Sequence, residues 1–346
     1  WENQLWEPNR NKDVKKLFLN PKGESIEQHI YTRDIIAKTN IVGGISAIES
    51  TPYKDFVSYM DELVRNNSIQ AWKPAPYDWR YAPDTILTRG ILTADAYGNS
   101  FTKDIVAEVL LLAKTSKTKK VTLITHTNGG LIGKQLMIEL EKKGLDRLID
   151  KIIFVAMPEY GTPQAITSLL YGHEQSIAGG LILNTTVAKQ LGTNMPTAYT
   201  LIPSAKYLEL QKGISIDGVA VHEKEHLNVI LTEKSNINNE LLHKADNIHS
   251  VLDVWMPPAH VEVYQIVGTG VLTTTGLMQN SDTEALPTYN TSGDGVVQDM
   301  YDMSKHIYNR TGISFGVDLH NTRFKHSDMM NATIKKKKLD ELVRDI

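Results

Sequence analysis

Apolar residues recur along this chain with two different periods, and the switch between them marks its most informative stretch. After Pro52, the residues Tyr53, Phe56, Val57, Met60, Leu63 and Val64 fall three or four positions apart and the Asn66-Asn67 pair follows, which predicts a helix with one buried face. Ile105, Val106, Val109, Leu110 and Ala113 repeat the spacing, predicting a helix over Thr102 to Lys114 with Thr102 placed to cap it. Val121 to Ile124 is instead a short, largely β-branched run of the kind buried in a parallel sheet. Beyond Thr125-His126-Thr127-Asn128-Gly129-Gly130 the helical period returns, with Leu131, Ile132, Leu136, Met137 and Leu140 on one stripe. Lys151 to Ala156 predicts a second buried strand and His260 to Gly268 a third. Strand, helix and strand at this spacing predict a parallel α/β sheet. The long stretch between the second and third strands, punctuated by Pro163, Pro203 and Pro257-Pro258, predicts a cap or lid inserted over the sheet edge.

Composition narrows this picture. With 346 residues, 41% hydrophobic and 22% charged, the chain has material for a full-sized core, which excludes disorder for most of its length. Lysine and arginine number 37 against 40 acidic residues, so the electrostatics of a general nucleic-acid binder are absent. No run of about 18 apolar residues offers a membrane span. No basic-then-apolar leader stands before Trp1, and the missing initiator Met suggests a processed or excised chain. Cysteine is absent, which removes disulfide scaffolds, thiolate zinc sites and cysteine nucleophiles together and leaves the compartment open. Lys335 to Lys338 read as the solvated face of a terminal helix.

The turn at Thr125 to Gly130 is the first candidate for chemistry. A hydroxyl residue, Thr127, stands at the apex of a strand-to-helix turn, Asn128 follows with a backbone N–H, and Gly129 and Gly130 come next. This pattern suits a nucleophile elbow, in which a strained apex needs small neighbours so that the helix can pack close to the strand. Relative to G-x-S-x-G, two of the three defining positions are altered, since Thr125 holds the first and Thr127 the apex. An ordinary glycine-softened turn or a phosphate-binding turn are the competing readings. Downstream, Asp294 within Ser292 to Val297 and His326 within Lys325 to Asp328 complete the order hydroxyl, acid, histidine. Taken singly, a Gly-Asp-Gly is usually a turn and one of 11 histidines is usually incidental; the order gives them weight.

Two other constellations compete. His222-Glu223-Lys224-Glu225-His226 matches H-E-x-x-H, which on a helix would set two imidazoles on one face for zinc, with Glu240 as a third ligand. Ile214 to Val221 just upstream alternates as a strand does, so a polar loop or cap surface is preferred and no metal site is expected. Trp72, Tyr77, Trp79 and Tyr81 cluster around Pro74 and Pro76. They could bind proline-rich or sugar ligands, but packing beneath the cleft, with Arg80 paired to Asp78, is the simpler reading. Leu169-Leu170-Tyr171 and Ile177 to Leu183 suit either a mobile lid that meets lipid or plain core packing.

Three further segments make a resemblance specific: Ala75-Pro76-Tyr77-Asp78-Trp79-Arg80, Met157-Pro158-Glu159-Tyr160-Gly161-Thr162-Pro163, and Met195-Pro196-Thr197-Ala198-Tyr199 with Ile202-Pro203-Ser204. With these the chain resembles the lecithin:cholesterol acyltransferase family, its bacterial members above all, from about Trp1 to Asn331. The resemblance implies an α/β-hydrolase fold, a mostly parallel sheet with helices on both faces and an inserted lid. Residues 1–160 and 259–346 would form the core and 161–258 the lid. It implies a triad of Thr127 as nucleophile, Asp294 as acid and His326 as base, with Asn128 lending an oxyanion N–H and Gly129 and Gly130 making the turn. Acyl transfer from a lipid-like ester to water or an alcohol, without metal or organic cofactor, follows from it. It further implies an extracellular or cell-surface location and peripheral lipid contact.

The sequence departs from the family in two places. Family members carry serine where this chain has Thr127, whose β-branched side chain is stiff and must fit a crowded turn. A catalytically silent module serving a larger extracellular or cell-surface assembly is therefore the alternative. In the family an apolar strand ending in a Pro-Gly turn also precedes the segment beginning near Trp1 and supplies the other oxyanion N–H, a donor worth roughly 3 kcal/mol of transition-state stabilisation. An upstream segment or partner chain that completes the sheet is thus expected.

Overall fold

The computed structural model describes residues 5, 11–35, 39–43, 46–50, 53–95, 97–173, 184–211, 213–234, 236–281, 284–298 and 329–331. At its centre three strands run parallel in the order Val121–His126, Ile149–Val155, Glu262–Ile266, and we refer to these as the elbow, middle and third strands. Ile124 lies opposite Ile153, which lies opposite Tyr264.

The middle strand shows why this arrangement holds. Ile152 and Phe154 point to one face, where they pack with Ile105 and Val109 of the helix Ile105–Thr115 and with Leu136 and Leu140 of the helix Gly129–Lys142. Ile153 and Val155 point to the other, against Phe56, Met60 and Leu63 of the helix Lys54–Arg65 and against Met329 and Met330. A strand covered on both faces has to be a continuous apolar run, as this one is. Helices thus lie on both faces of a parallel sheet, and the stripe Leu131, Ile132, Leu136, Met137, Leu140 is buried throughout.

The expected capping by Thr102 is not what forms. Ser100–Lys103 is a strand paired antiparallel to Ile91–Ala94, and the helix begins at Ile105. Asp104 caps it, its carboxylate accepting the Ala107 N–H at 2.9 Å. A carboxylate next to the first helical residue is placed to accept a free N–H, whereas Thr102 is held in the strand two residues before that position.

A second apolar cluster lies outside the sheet and includes Tyr160, Leu169, Leu170, Tyr207, Leu227, Leu242 and Leu277. Leu169 and Leu170 are therefore core residues, as the packing alternative has it; Ile177 to Leu183 lie outside the described residues. A small sheet flanks this cluster, in the order Glu284–Asn290, Thr273–Ser281, Ile214–Ile216, Val219–Val221. The alternation from Ile214 to Val221 is a hairpin turning at Asp217-Gly218, and Leu277 pairs with Ile216 to join it to the later hairpin. Among the described residues no helix is long and apolar enough to cross a membrane.

One buried ion pair ties sheet to cluster. Lys134, on the helix Gly129–Lys142, meets Glu159 at 2.5 Å with side-chain exposures of 1% and 2%. Its ammonium also donates to the Leu252 carbonyl and lies over the Tyr160 and Trp255 rings. Glu159→Ala, which strands this cation, is expected to cost about 3–5 kcal/mol in urea unfolding, whereas the double change Lys134→Met with Glu159→Leu recovers most of that loss.

Candidate active site

The elbow strand ends where Thr127 turns the chain into a left-handed backbone conformation, φ +49°. A β-branched residue is a genuine outlier there. Two hydrogen bonds hold it: the Thr127 N–H donates to the Val155 carbonyl at 3.0 Å, and the Gly130 N–H donates to the Thr127 carbonyl at 2.8 Å. Asn128 then holds the N-cap position of the helix Gly129–Lys142 without a side-chain capping hydrogen bond, its carbonyl accepting the Leu131 N–H at 3.1 Å, and the N-terminus of that helix lies beside the threonine.

The glycines of this turn do different work. A Cβ on Gly130 would sit 2.2 Å from Cγ and Sδ of Met157, so the helix can rest on that side chain only because position 130 carries none. At Gly129 the nearest atom to an added Cβ is the Tyr77 hydroxyl at 3.8 Å, an ordinary contact. The structure adds a third glycine that motif reading missed. Thr125 occupies the first position of the pattern, where glycine is usual, and its methyl lies 3.0 Å from where a Cβ on Gly133 would be. Gly133 therefore makes room on the helix for the threonine on the strand. Its spacing of three and four from Gly130 and Gly129 was the available signal.

The surroundings are aromatic and polar. The Tyr53 hydroxyl and Nδ1 of His126 are 2.8 Å apart, with the two rings edge-on. Burial pushes the Tyr53 phenol up to about 12. The Tyr77 phenol is raised further, by burial first and by the nearby Tyr53, while the Asn128 side chain acts in the opposite sense. The buried Asn128 amide thus lies beside Tyr77, although neither of its polar atoms makes a hydrogen bond of full geometry. As expected, Arg80 pairs with Asp78, at 2.6 Å; at 1% exposure it also donates to the Leu17 carbonyl and the Ser25 hydroxyl, fixing the loop below the cleft.

Thr127, Asn128 and Gly129 line a cavity of about 2170 Å³ together with Tyr53, Tyr77 and Met330. Asp294 stands elsewhere, beside the end of the third strand: a Cβ on Gly268 would come within 2.7 Å of the Asp294 Cβ and 2.9 Å of Met329 Sδ. At 1% exposure its carboxylate accepts the N–H groups of Val296 and Val297 at 3.0 and 2.9 Å. Its loop is tied back by the Thr162 hydroxyl, which donates to the Val296 carbonyl at 2.6 Å. His326 lies outside the described residues, as do Lys335 to Lys338; Met329 to Asn331, which follow the histidine by three residues, are described and buried. The H-E-x-x-H segment does not present two imidazoles on one helix face, because the helix starts at Lys224 and His222 precedes it.

The lecithin:cholesterol acyltransferase family model matches residues 38–212, half of the chain. The chain belongs to that family. Membership and the helix-covered parallel sheet together place it in the α/β-hydrolase class. No curated protein matches the sequence. Among solved structures, the one titled "The crystal structure of Tle4-Tli4 complex" aligns at 14% identity with a TM-score of 0.48, over 77% of this chain and 66% of that one. This family member thus spans slightly less than two thirds of that neighbour.

Two outcomes follow from the geometry. Gly130→Ala should destabilise the fold by about 1–3 kcal/mol or more through overpacking on Met157. Gly129→Ala should change it by less than about 1 kcal/mol, and both are read from chemical denaturation. Because folding raises the Tyr53 phenol from 10.0 to about 12, its contribution is complete below pH 10 and disappears as pH climbs through 12. Stability measured against pH should fall across that window, and less steeply in Tyr53→Phe.

Proposed function

We propose that this chain performs acyl-ester chemistry on lipid-like substrates, with Thr127 as nucleophile, Asp294 as the orienting acid and His326 as the base. The observation that carries the reading is the left-handed apex at Thr127, set at the mouth of a helix N-terminus in a member of an acyltransferase family. In the proposed reaction His326 takes the proton of the Thr127 hydroxyl as its oxygen attacks the ester carbonyl, and the Asn128 N–H receives the developing oxyanion. The C–O bond to the leaving alcohol breaks as His326 returns the proton to it, leaving an acyl-threonine that water or a second alcohol resolves. The place of His326 draws support from the chain itself. Met330 lines the Thr127 cavity and Met329 packs beside Asp294, and three peptide units span at most about 11 Å.

Phe56, Met60 and Trp72 supply apolar lining for an acyl chain. The cap proposed over residues 161–258 takes in the hairpin 273–290 through strand pairing. On that hairpin Met278 and Leu286 lie opposite each other and are both exposed, which suits peripheral lipid contact at an extracellular or cell-surface site. A second reading, a silent module within a larger assembly, is favoured by one observation: a β-branched side chain held at φ +49° where the chemistry prefers serine.

Turnover of short p-nitrophenyl esters by the chain, Thr127→Ser and Thr127→Ala, each shown to be folded, separates these. Loss of a real rate in Thr127→Ala, and in His326→Ala, is the expected result. A parent equal to Thr127→Ala with a gain in Thr127→Ser would mean that only the apex is disabled. Three inert proteins would favour the silent module.

A further inference from the structure

We infer that His249 is a positioning residue: a doubly protonated imidazole that holds, in a pH-dependent way, the segment bracing both halves of the candidate site, with Thr127 and Asp294 taken as those halves. His249 lies in the last turn of the helix Asn239–Leu252 and is 5% exposed. Its Nδ1 is 2.8 Å from Oδ1 of the buried Asp253, and its Nε2 is 2.8 Å from the Thr200 carbonyl oxygen. A carbonyl oxygen only accepts, so Nε2 carries a proton; an ionised carboxylate only accepts, so Nδ1 carries one too. Both hydrogen bonds exist together only in the imidazolium.

The surroundings favour that charge. The last turn of a helix is its negative end. Lys134 from the helix Gly129–Lys142 and Lys224 from the helix Lys224–Thr232 bring two cations, against the carboxylates of Glu159, Asp246 and Asp253. Lys224 stands 3.3 Å from Asp246 and donates to the Pro203 carbonyl at 3.0 Å, and the Asp253 charge acts on both Lys224 and Tyr160. An imidazolium at 249 balances the set, whereas a neutral ring leaves an excess carboxylate charge in a buried network. Glu209 and Glu225, which also act on Tyr160 and Lys224, are exposed and screened by solvent.

Backbone hydrogen bonds show what this strut carries. Thr200 ends the short helix Pro196–Thr200, and the residues after it run alongside the loop Met157 to Thr162. The Thr162 N–H donates to the Leu201 carbonyl at 2.8 Å, and the Ser204 N–H donates to the Tyr160 carbonyl at 2.9 Å. A Cβ on Gly161 would sit 2.5 Å from the Ile202 carbonyl oxygen, so the two segments are in close contact. The loop supplies Met157, on which Gly130 rests, and Thr162, which holds the Val296 carbonyl beside Asp294. Loss of a proton from His249 turns one donor into a lone pair facing an oxygen, and the Thr200 end is loosened. The stabilisation is present at acidic pH and is lost as pH climbs through the range, about pH 5 to 8, in which histidine ordinarily changes charge.

The test needs no turnover, so an inert chain would count against the chemistry at Thr127 and not against His249. Long-range proton–nitrogen correlation spectra follow the His249 ring across that range, beside hydrogen exchange corrected for its intrinsic pH dependence. At the acidic end both ring nitrogens should give the protonated pattern. Toward the alkaline end the amides of residues 157–162 and 201–204 should exchange roughly tenfold faster, with those of Ile149–Val155 unchanged. His249→Gln keeps one donor and never carries the charge; it should show the faster exchange at every pH, and Asp253→Asn should give the same flat profile. A ring with one unprotonated nitrogen at the acidic end, which would put the proton on Asp253, overturns the inference. So does a parent whose exchange in these two segments stays constant with pH, because His249 then acts by packing alone.

Discussion

Gly130 rests on Met157 with no space for a methyl group between them, and this contact governs how the helix leaves the sheet. With the helix so close, the chain between strand and helix has no room for a gradual bend, and Thr127 is driven into the left-handed region. Four residues along the same helix, Lys134 reaches Glu159, which belongs to the same loop as Met157. An apolar contact and a buried ion pair thus clamp that loop at two points. From its far end Thr162 holds the backbone of Val296, beside Asp294. The hydroxyl turn and the acid loop are in this way referred to one rigid segment, Met157 to Thr162.

Strain is distributed along the top of the sheet. Ala156, at the end of the middle strand, shares the φ of +49° found at Thr127, and neither is glycine. Such residues cost of order 1–3 kcal/mol each and persist when their surroundings over-determine them. Here each hands its N–H to the carbonyl of the next strand, Thr127 to Val155 and Ala156 to Ile266. The upper rim is a staircase of hydrogen bonds, and the candidate nucleophile sits on its outermost step. A threonine there carries the backbone cost of any non-glycine residue and adds a methyl that restricts where its oxygen can point.

The outer step is also the least supported part of the core. The middle strand is sealed by helices above and below, yet the elbow strand beside it stays half-exposed along its length. Tyr53 and His126, with Tyr77 and Asn128, form an aromatic and polar collar at the mouth of the cleft that follows this edge. The chemistry proposed at Thr127 is therefore set at the end of a half-exposed strand, beside this collar.

Local spacing determined a good deal. The strands read from Val121, Lys151 and His260, the stripe from Leu131 to Leu140 and the turn at Thr127 to Gly130 are each written in a few consecutive residues, because period and glycine placement act over one or two turns of chain, whereas the half-exposure of the first strand is not. The Arg80 and Asp78 pair was legible for the same reason, two residues apart. Cap identity at Asp104 was not, since a strand pairing at Ser100–Lys103 claimed Thr102 first. Nor were the need for Gly133 opposite Thr125, the burial of Lys134 against Glu159, or the joining of Ile216 to Leu277, each of which arises between segments far apart in sequence. What the chain alone determined was the three strands of the central sheet, the helices packed on them and the sharp turn at Thr127. Which of them touch was decided by tertiary packing, because close approach, desolvation and strand pairing exist only once distant residues meet.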